Sequence, residues 1–194
     1  MSTLKIILSS TRPGSIAPVI GRWVAERARQ SDGFAEIEIL DLAEIALPFL
    51  DEPHHPKLGK YTKPHTLRWA QDVATADALV IVTPEYNGGF PAPLKNALDF
   101  LHAEWRDKAL GIVSYGGGTS GGTRAAGMLA PVTNALGLVT ARHSVAISRA
   151  SRQVVDGEFV ATPADDTAAT AMLADLARID AELAPLRTAL ALAG

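Results

Sequence analysis

The sequence predicts an α/β domain: a three-layer sandwich around a five-stranded parallel sheet in the order 2-1-3-4-5. Three observations predict it. Short, almost wholly apolar, β-branched runs recur, as strands buried on both faces do. Between them, apolar residues return at helical spacing. The two kinds of segment alternate along the chain, which is the pattern of a parallel sheet with crossover helices. Right-handed crossovers leave few topologies, and 2-1-3-4-5 is the simplest of them.

Leu4-Lys5-Ile6-Ile7-Leu8 is the first apolar run. After Pro13-Gly14, the residues Ile16, Val19, Ile20, Trp23, Val24 and Ala28 mark a helix that ends by Gly33. Glu36-Ile37-Glu38-Ile39-Leu40 alternates, as a strand with one wetter face does. Four prolines between 48 and 66 predict a long loop of functional or mobile character. A short helix follows over Leu67 to Ala76, then a fully apolar strand over Ala78-Leu79-Val80-Ile81-Val82. Leu94, Ala97, Leu98 and Leu101 mark the next helix, and Ala109-Leu110-Gly111-Ile112-Val113 the fourth strand. Ala125, Met128, Leu129, Val132 and Leu136 mark another helix, and Val139 to Ile147 an edge strand. Met172, Leu176, Ile179, Leu183, Leu186 and Leu190 give a C-terminal helix that Pro185 should kink or divide. No repeat, low-complexity tract or linker splits the chain, so residues 1–194 are expected to form one domain.

Composition excludes several kinds of function. The 194 residues are 47% hydrophobic and carry a net charge of −3, which is ordinary for a folded domain and poor for general binding to nucleic acid or anionic membrane. There is no cysteine, hence no disulfide, thiolate nucleophile or Cys-type metal site. No apolar run reaches the roughly 18 residues of a membrane span. The opening Met-Ser-Thr-Leu-Lys has no signal-like design, so the expected location is the cytoplasm. His54-His55 and His65 lie in the proline-rich loop without supporting carboxylate spacing and read as solvated, so no metal is expected.

In an open parallel sheet, ligands bind beyond the carboxyl ends of the strands, at the point where the strand order reverses. The loops after Leu8, Val82 and Val113 should therefore converge, and they hold the least ordinary residues in the chain. The first, Ser9-Ser10-Thr11-Arg12-Pro13-Gly14-Ser15, offers four hydroxyls, a guanidinium and the N–H groups of a helix start. Capping a helix needs one hydroxyl and no arginine, whereas a phosphate uses them all. G-x-x-x-x-G-K-[ST] is absent, which disfavours ATP or GTP hydrolysis. The second loop, Thr83-Pro84-Glu85-Tyr86-Asn87-Gly88-Gly89, sets a carboxylate, an aromatic ring and an amide at a strand end, a site or a plain turn with equal ease. The third, Ser114-Tyr115-Gly116-Gly117-Gly118-Thr119-Ser120-Gly121-Gly122, matches G-x-G-x-x-G literally. It is not a dinucleotide fingerprint: it follows the fourth strand, and no Asp or Glu lies between Asp107 and Asp156 to meet a ribose. Its glycines instead let backbone N–H groups approach a flat or anionic ligand. Arg124, Arg142, Arg149 and Arg152 fall in that acid-free stretch; they form a basic surface or subunit contact, or attract an anionic nucleotide.

These residues together resemble the NAD(P)H-dependent FMN reductases, a flavodoxin-like family that includes chromate, quinone and azo reductases. Pro84-Glu85-Tyr86-Asn87 followed by Pro93, Leu94, Lys95, Asn96, Ala97, Asp99 and Phe100 carries the resemblance, which spans about the first 145 residues. Ser10, Arg12 and Ser15 stand in the places of the family's G-S-x-R-x-x-S loop, with Ser9 where Gly is frequent and Ala17 where Asn is. The resemblance implies that Ser10, Arg12 and Ser15 hold the phosphate of FMN, with Thr11 able to compensate for the missing Asn. It implies that Pro84, Glu85, Tyr86 and Asn87 line the isoalloxazine, and that Ser114, Tyr115, Gly116 and Gly117 form the loop at its pyrimidine edge. It further implies a homodimer or tetramer in which Glu85 meets a basic group of the partner chain.

The activity so implied passes hydride from NADPH or NADH through FMN to a small-molecule acceptor: a quinone, an azo compound, a metal oxyanion or free flavin. The flavin does the chemistry, so no catalytic acid or base is required of the chain. Use of FMN as a dissociating substrate is a variant of the same reading. A flavodoxin-type electron carrier without an NAD(P)H site is the alternative, and such carriers use a strongly acidic surface to steer partners, which −3 does not provide. A sensing module that has lost its flavin would not need all three loops.

Overall fold

The apolar runs lie in the middle of the sheet. The computed structural model describes residues 2–193, with side chains described to residue 189. In it β1 (Thr3–Leu8), β3 (Ala78–Pro84) and β4 (Ala109–Tyr115) are the central strands, and β2 (Glu36–Asp41) is the edge beyond β1. The other edge carries β5 (Val139–Thr140) and β6 (Val145–Ile147), and all neighbours are parallel in the order β2-β1-β3-β4-β5.

Successive residues of each central strand serve opposite faces, as a pleated strand requires. Leu4, Ile6, Leu8, Val80 and Val82 pack with Ile20, Trp23 and Val24 of α1 (Ala17–Arg29) and with Met172 and Leu176 of α6 (Pro163–Ala193). Ile7, Leu79, Ile81, Leu110 and Ile112 pack on the other side with α3 (Pro64–Ala74), α4 (Ala92–Asp99) and α5 (Thr123–Ala135), through Trp69, Leu94, Leu98 and Leu129. Burying each large side chain fully is worth about 1.5–3 kcal/mol. Both tryptophans of this second face satisfy their indole N–H: Trp69 donates to the Ala97 carbonyl at 2.9 Å and Trp105 to that of Leu98 at 3.1 Å.

Four features depart from the sequence expectation. The single edge strand over Val139 to Ile147 is split. Val139 pairs with Ala109 but Val145 with Val113, so the edge carries two more residues than β4 over that span. The excess loops out where the His143 N–H donates to Asp175 of α6 at 3.1 Å, with His143 Nδ1 2.7 Å from the same carboxylate. Such a break also blunts an exposed edge. A short helix, α2 (Leu42–Ile45), follows β2, with the Asp41 carboxylate capping the Ala43 N–H. A hairpin of β7 (Val154–Val155) and β8 (Glu158–Phe159) turns at Asp156-Gly157, both with positive φ, as a two-residue hairpin demands. Phe159 then packs edge-on against Trp23, ring centroids 5.1 Å apart. Finally, α6 runs undivided through Pro185. Arg187, just beyond it, donates to Asp180 and to the Asp107 carbonyl and ties the continuation down. The side chain of Leu190, the last of the predicted stripe, lies outside the described residues.

The long loop is present and is held down at both ends. Asn96 of α4 donates to the Pro48 carbonyl at 2.7 Å and accepts from the Leu50 N–H at 3.0 Å. The Glu52 carboxylate accepts from the N–H and hydroxyl of Thr62 and from the N–H of Lys63, each at 2.9 Å, just before α3 begins. Desolvation works against its ionised form, but hydrogen bonds from Lys63 and Thr62 outweigh it and hold the carboxyl down at about 2, from an ordinary 4.5. A depressed carboxyl pKa contributes stability above the unfolded value and loses it as pH falls through the folded value. The urea midpoint is therefore expected to fall between pH 4.5 and pH 2, and Glu52→Gln to flatten that part of the profile. Identical pH profiles for the two proteins would contradict the anchoring role.

Candidate functional site

Register brings the three loops together. Leu8 pairs with Val82, and Val82 with Val113, so the strands end in one row. The Ser9 N–H donates to the Val82 carbonyl at 3.1 Å and the Glu85 N–H to that of Tyr115 at 3.0 Å, stitching each loop to its neighbour where it leaves the sheet.

The first loop turns back on itself through Ser15 N–H to Arg12 C=O at 3.0 Å, with Gly14 at φ +72°. The Ser15 hydroxyl accepts from the Ala17 N–H at 3.1 Å. The start of α1 has no side-chain cap at Ile16 and no acid in its first turn. The N–H groups of Ser10, Thr11 and Arg12 donate to no group among the described residues. Arg12 is exposed and forms no ion pair among them. The Ser9 hydroxyl is buried without a partner. Unused donors, a free guanidinium and a positive helix end in one place suit an anion. Ala17 is fully buried in the core, so the position supplies no polar group here.

In the second loop Tyr86 and Gly89 exchange backbone hydrogen bonds at 2.8 and 3.0 Å around Asn87-Gly88, at φ +52° and +84°. That is a tight turn with positive φ at both central residues, which Asn-Gly favours. Asn87 therefore builds the turn. The turn places the Tyr86 hydroxyl 2.7 Å from the Ser10 hydroxyl, bridging the second loop to the first. Glu85, for which a basic partner-chain group was expected, meets Arg124 of its own chain: both the N–H and the guanidinium of Arg124 lie 3.3 Å from its carboxylate.

The third loop divides its glycines between two duties. A Cβ on Gly121 would lie 2.6 Å from the Ala146 backbone, and one on Gly122 would lie 2.8 Å from that of Tyr115. Both have positive φ, so the fold itself demands glycine there. A Cβ on Gly117 or Gly118 would meet nothing within 4 Å, and neither has positive φ. Their freedom from side chains serves open space, as a cradle for a flat ligand would. Ser114 is buried and donates to the Gly121 carbonyl at 2.8 Å, holding the loop from beneath.

A crevice of about 190 Å³ lies among these loops, lined by Arg12, Ser15, Ile16, Pro84, Glu85, Tyr86, Tyr115, Gly116, Gly117, Ala150 and Ser151. Ser10 reaches its wall through Tyr86. Thr11, Asn87 and Ser114 are not among the lining residues; Thr11 borders a second cavity of about 590 Å³, with Leu42, Ala46, Leu47, Phe49, Pro93 and Asn96. Ile16, Ala150 and Ser151 join the wall unannounced by any sequence motif. The latter two arrive because the Ala150 N–H donates to the Gly116 carbonyl at 3.0 Å. Burial pushes the Tyr115 phenol up to about 12, so it stays neutral, 3.4 Å from the Ser15 hydroxyl. Glu85 is the one carboxylate on the wall, and it is paired. The site thus offers an anion niche, neutral hydroxyls and bare backbone.

A family model described as NADPH-dependent FMN reductase matches residues 3–152. An NAD(P)H-dependent FMN reductase of Schizosaccharomyces pombe is 41% identical over 154 residues, 78% of this chain and 76% of that protein. An NAD(P)H:quinone oxidoreductase of Solanum tuberosum is 34% identical over 119 residues, 60% of this chain and 59% of that protein. Among solved structures, FerB, a flavoenzyme NAD(P)H:(acceptor) oxidoreductase from Paracoccus denitrificans, matches with a TM-score of 0.72 at 20% identity, over 93% of this chain and 98% of that one. At that identity the likeness speaks for the fold.

The two duties of the glycines separate by mutation. Gly122→Ala should destabilise the protein by more than about 1 kcal/mol in urea unfolding, from strain and close contact. Gly117→Ala should stay within about 0.5 kcal/mol of the parent.

Proposed function

Because the chain belongs to the NADPH-dependent FMN reductase family, we propose that the crevice between the three loops is where it holds FMN and where hydride passes from NAD(P)H to an acceptor. The protein is an FMN-dependent NAD(P)H oxidoreductase. The observation that carries the assignment of the site is Gly117: the fold has no need of a glycine there, and a flat ligand does.

Ser10, Arg12, Ser15 and the free N–H groups from Ser10 to Arg12 hold the phosphate, and Thr11 flanks them on the side of the larger cavity. Pro84, Glu85 and Tyr86 form one wall of the ring site, on a turn that Asn87 shapes. Tyr115, Gly116 and Gly117 form the other, with Ser114 supporting it. When bound, FMN supplies two-electron chemistry, accepting hydride from NADPH or NADH and delivering it to a quinone, azo compound, metal oxyanion or free flavin. The chain's own work is to bind, orient and complement charge. The N–H groups of Gly117 and Gly118 donate to no group among the described residues and are available to an electron-rich ring edge. The Tyr115 phenol is protonated at neutral pH and offers an O–H donor. The carrier alternative is not favoured: it explains neither the family nor the arginines around the crevice.

Residues 1–194 act as one domain in this reading, because Phe159 of β8 and the buried face of α6 complete the layer that α1 begins. A homodimer or tetramer fits the 87% exposure of Phe49 beside the apolar larger cavity. The proposed location is the cytoplasm. Among the described residues, no helix is long and apolar enough to cross a membrane.

Anaerobic mixing of the FMN-loaded protein with NADPH or NADH should bleach the flavin absorbance; no bleaching with either rejects the activity. Arg12→Ala should weaken FMN by about tenfold or more, the effect of losing a charge-assisted hydrogen bond, and leave riboflavin nearly unaffected. Equal losses for both would reject the phosphate assignment.

A further inference from the structure

Close to the crevice stands an arginine that the proposed flavin site does not use. The turn after β6 is zipped onto the glycine loop by three hydrogen bonds. The Ser148 hydroxyl donates to the Thr119 carbonyl at 2.6 Å, the Arg149 N–H to that of Gly118 at 2.9 Å, and the Ala150 N–H to that of Gly116 at 3.0 Å. Arg149 is thereby fixed on the rim, directly before Ala150 and Ser151 of the wall. Its φ is +49°, a left-handed conformation that is unfavourable for a non-glycine residue. Glycine or asparagine would hold that backbone more cheaply, so nothing local favours arginine.

Its surroundings leave the guanidinium free. Arg149 is exposed and makes no side-chain hydrogen bond or ion pair among the described residues, and the same holds for Arg152. Arg124 differs, being engaged by Glu85. No Asp or Glu occurs from Lys108 to Val155, so the segment carrying the glycine loop and the Arg149 turn adds no carboxylate of its own, and Glu85, the one carboxylate lining the crevice, is engaged by Arg124. Arg12 stands on the loop after β1, in the niche assigned to the flavin phosphate.

We propose that Arg149 is the docking cation for a phosphate group of the pyridine dinucleotide. The inference rests on the proposed function, which brings NADPH or NADH to this crevice. A guanidinium binds phosphate through two parallel hydrogen bonds, and an exposed, unpaired one also speeds capture of an anionic substrate. The left-handed backbone sits one residue before Ala150, which lines the crevice.

The test uses the FMN-loaded protein. Arg149→Asn keeps a residue that tolerates the backbone and removes the charge; Arg149→Gly relieves the backbone altogether and serves where the Asn variant does not fold. Arg149→Lys keeps a charge. The measurements are KM and kcat for NADPH and for NADH, the calorimetric Kd of NADP+ without turnover, and the Kd of FMN. The Asn and Gly variants should raise the KM for NADPH and the Kd of NADP+ about tenfold, with kcat and the FMN Kd little changed and a weaker dependence on salt. Lysine should restore part of the loss. A rise confined to the NADPH and NADP+ measurements identifies the adenosine phosphate, and an equal rise for NADH identifies the diphosphate; either supports the proposal. Unchanged KM and Kd in folded, flavin-loaded variants overturn it. Failure of the parent protein to oxidise either dinucleotide would instead overturn the proposed function.

Discussion

The site depends on parallel register. Because Leu8, Val82 and Val113 pair across the sheet, three loops that are far apart in sequence leave it side by side and in one direction. An antiparallel neighbour in the middle would send one loop to the opposite end. A slip of one residue would turn Leu79 and Ile81 toward α1, against the alternation that fills both cores. The packing that stabilises the sheet thus also fixes where the crevice opens. Two backbone bonds extend the ladder past the strands, from Ser9 to Val82 and from Glu85 to Tyr115, and carry the rigidity of the sheet into the loops.

Beyond the sheet, precision comes from short polar links between loops. Tyr86 reaches the Ser10 hydroxyl, Ser114 holds Gly121 and the turn at Arg149 is bonded to Gly118. Each link joins a wall of the crevice to another loop or to the sheet, so the walls are not independent. A change at one is expected to be felt at another, as coupled polar networks are.

The strands and their order were legible because an apolar run buried on both faces has few other interpretations. The convergence of the three loops followed from topology alone. What stayed hidden depended on tertiary contacts. Nothing in Arg142-His143-Ser144 announces that the edge strand breaks to meet Asp175. The hairpin at Asp156-Gly157 did carry its signal, since Asp-Gly is a favoured two-residue turn, but its strands are only two residues each. Ala150 and Ser151 belong to no motif and reach the crevice only through a bond to Gly116. The most specific sequence feature also proved partly structural. Asn87 shapes a turn and Asn96 clamps the long loop at Pro48 and Leu50. Residue type marked side chains that the register does bring together, while the division between lining and support rests on tertiary contacts that the sequence does not display.

Charge around the crevice follows a single logic. On the proposed reading, a site for hydride transfer needs no titrating acid or base, and a stray carboxylate would repel the phosphates of its ligands. The wall accordingly holds hydroxyls, bare backbone and a neutral phenol whose pKa burial raises further. Its one carboxylate, Glu85, is engaged by the N–H and the guanidinium of Arg124 at the start of α5, where a helix end further favours negative charge. Neutralising Glu85 from within the chain leaves Arg12 and Arg149 uncompensated on two different loops around the opening. Two separated cations suit two separate phosphate-bearing molecules better than one ligand gripped twice. On the proposed reading, the dinucleotide and the flavin would then draw on different groups of the chain.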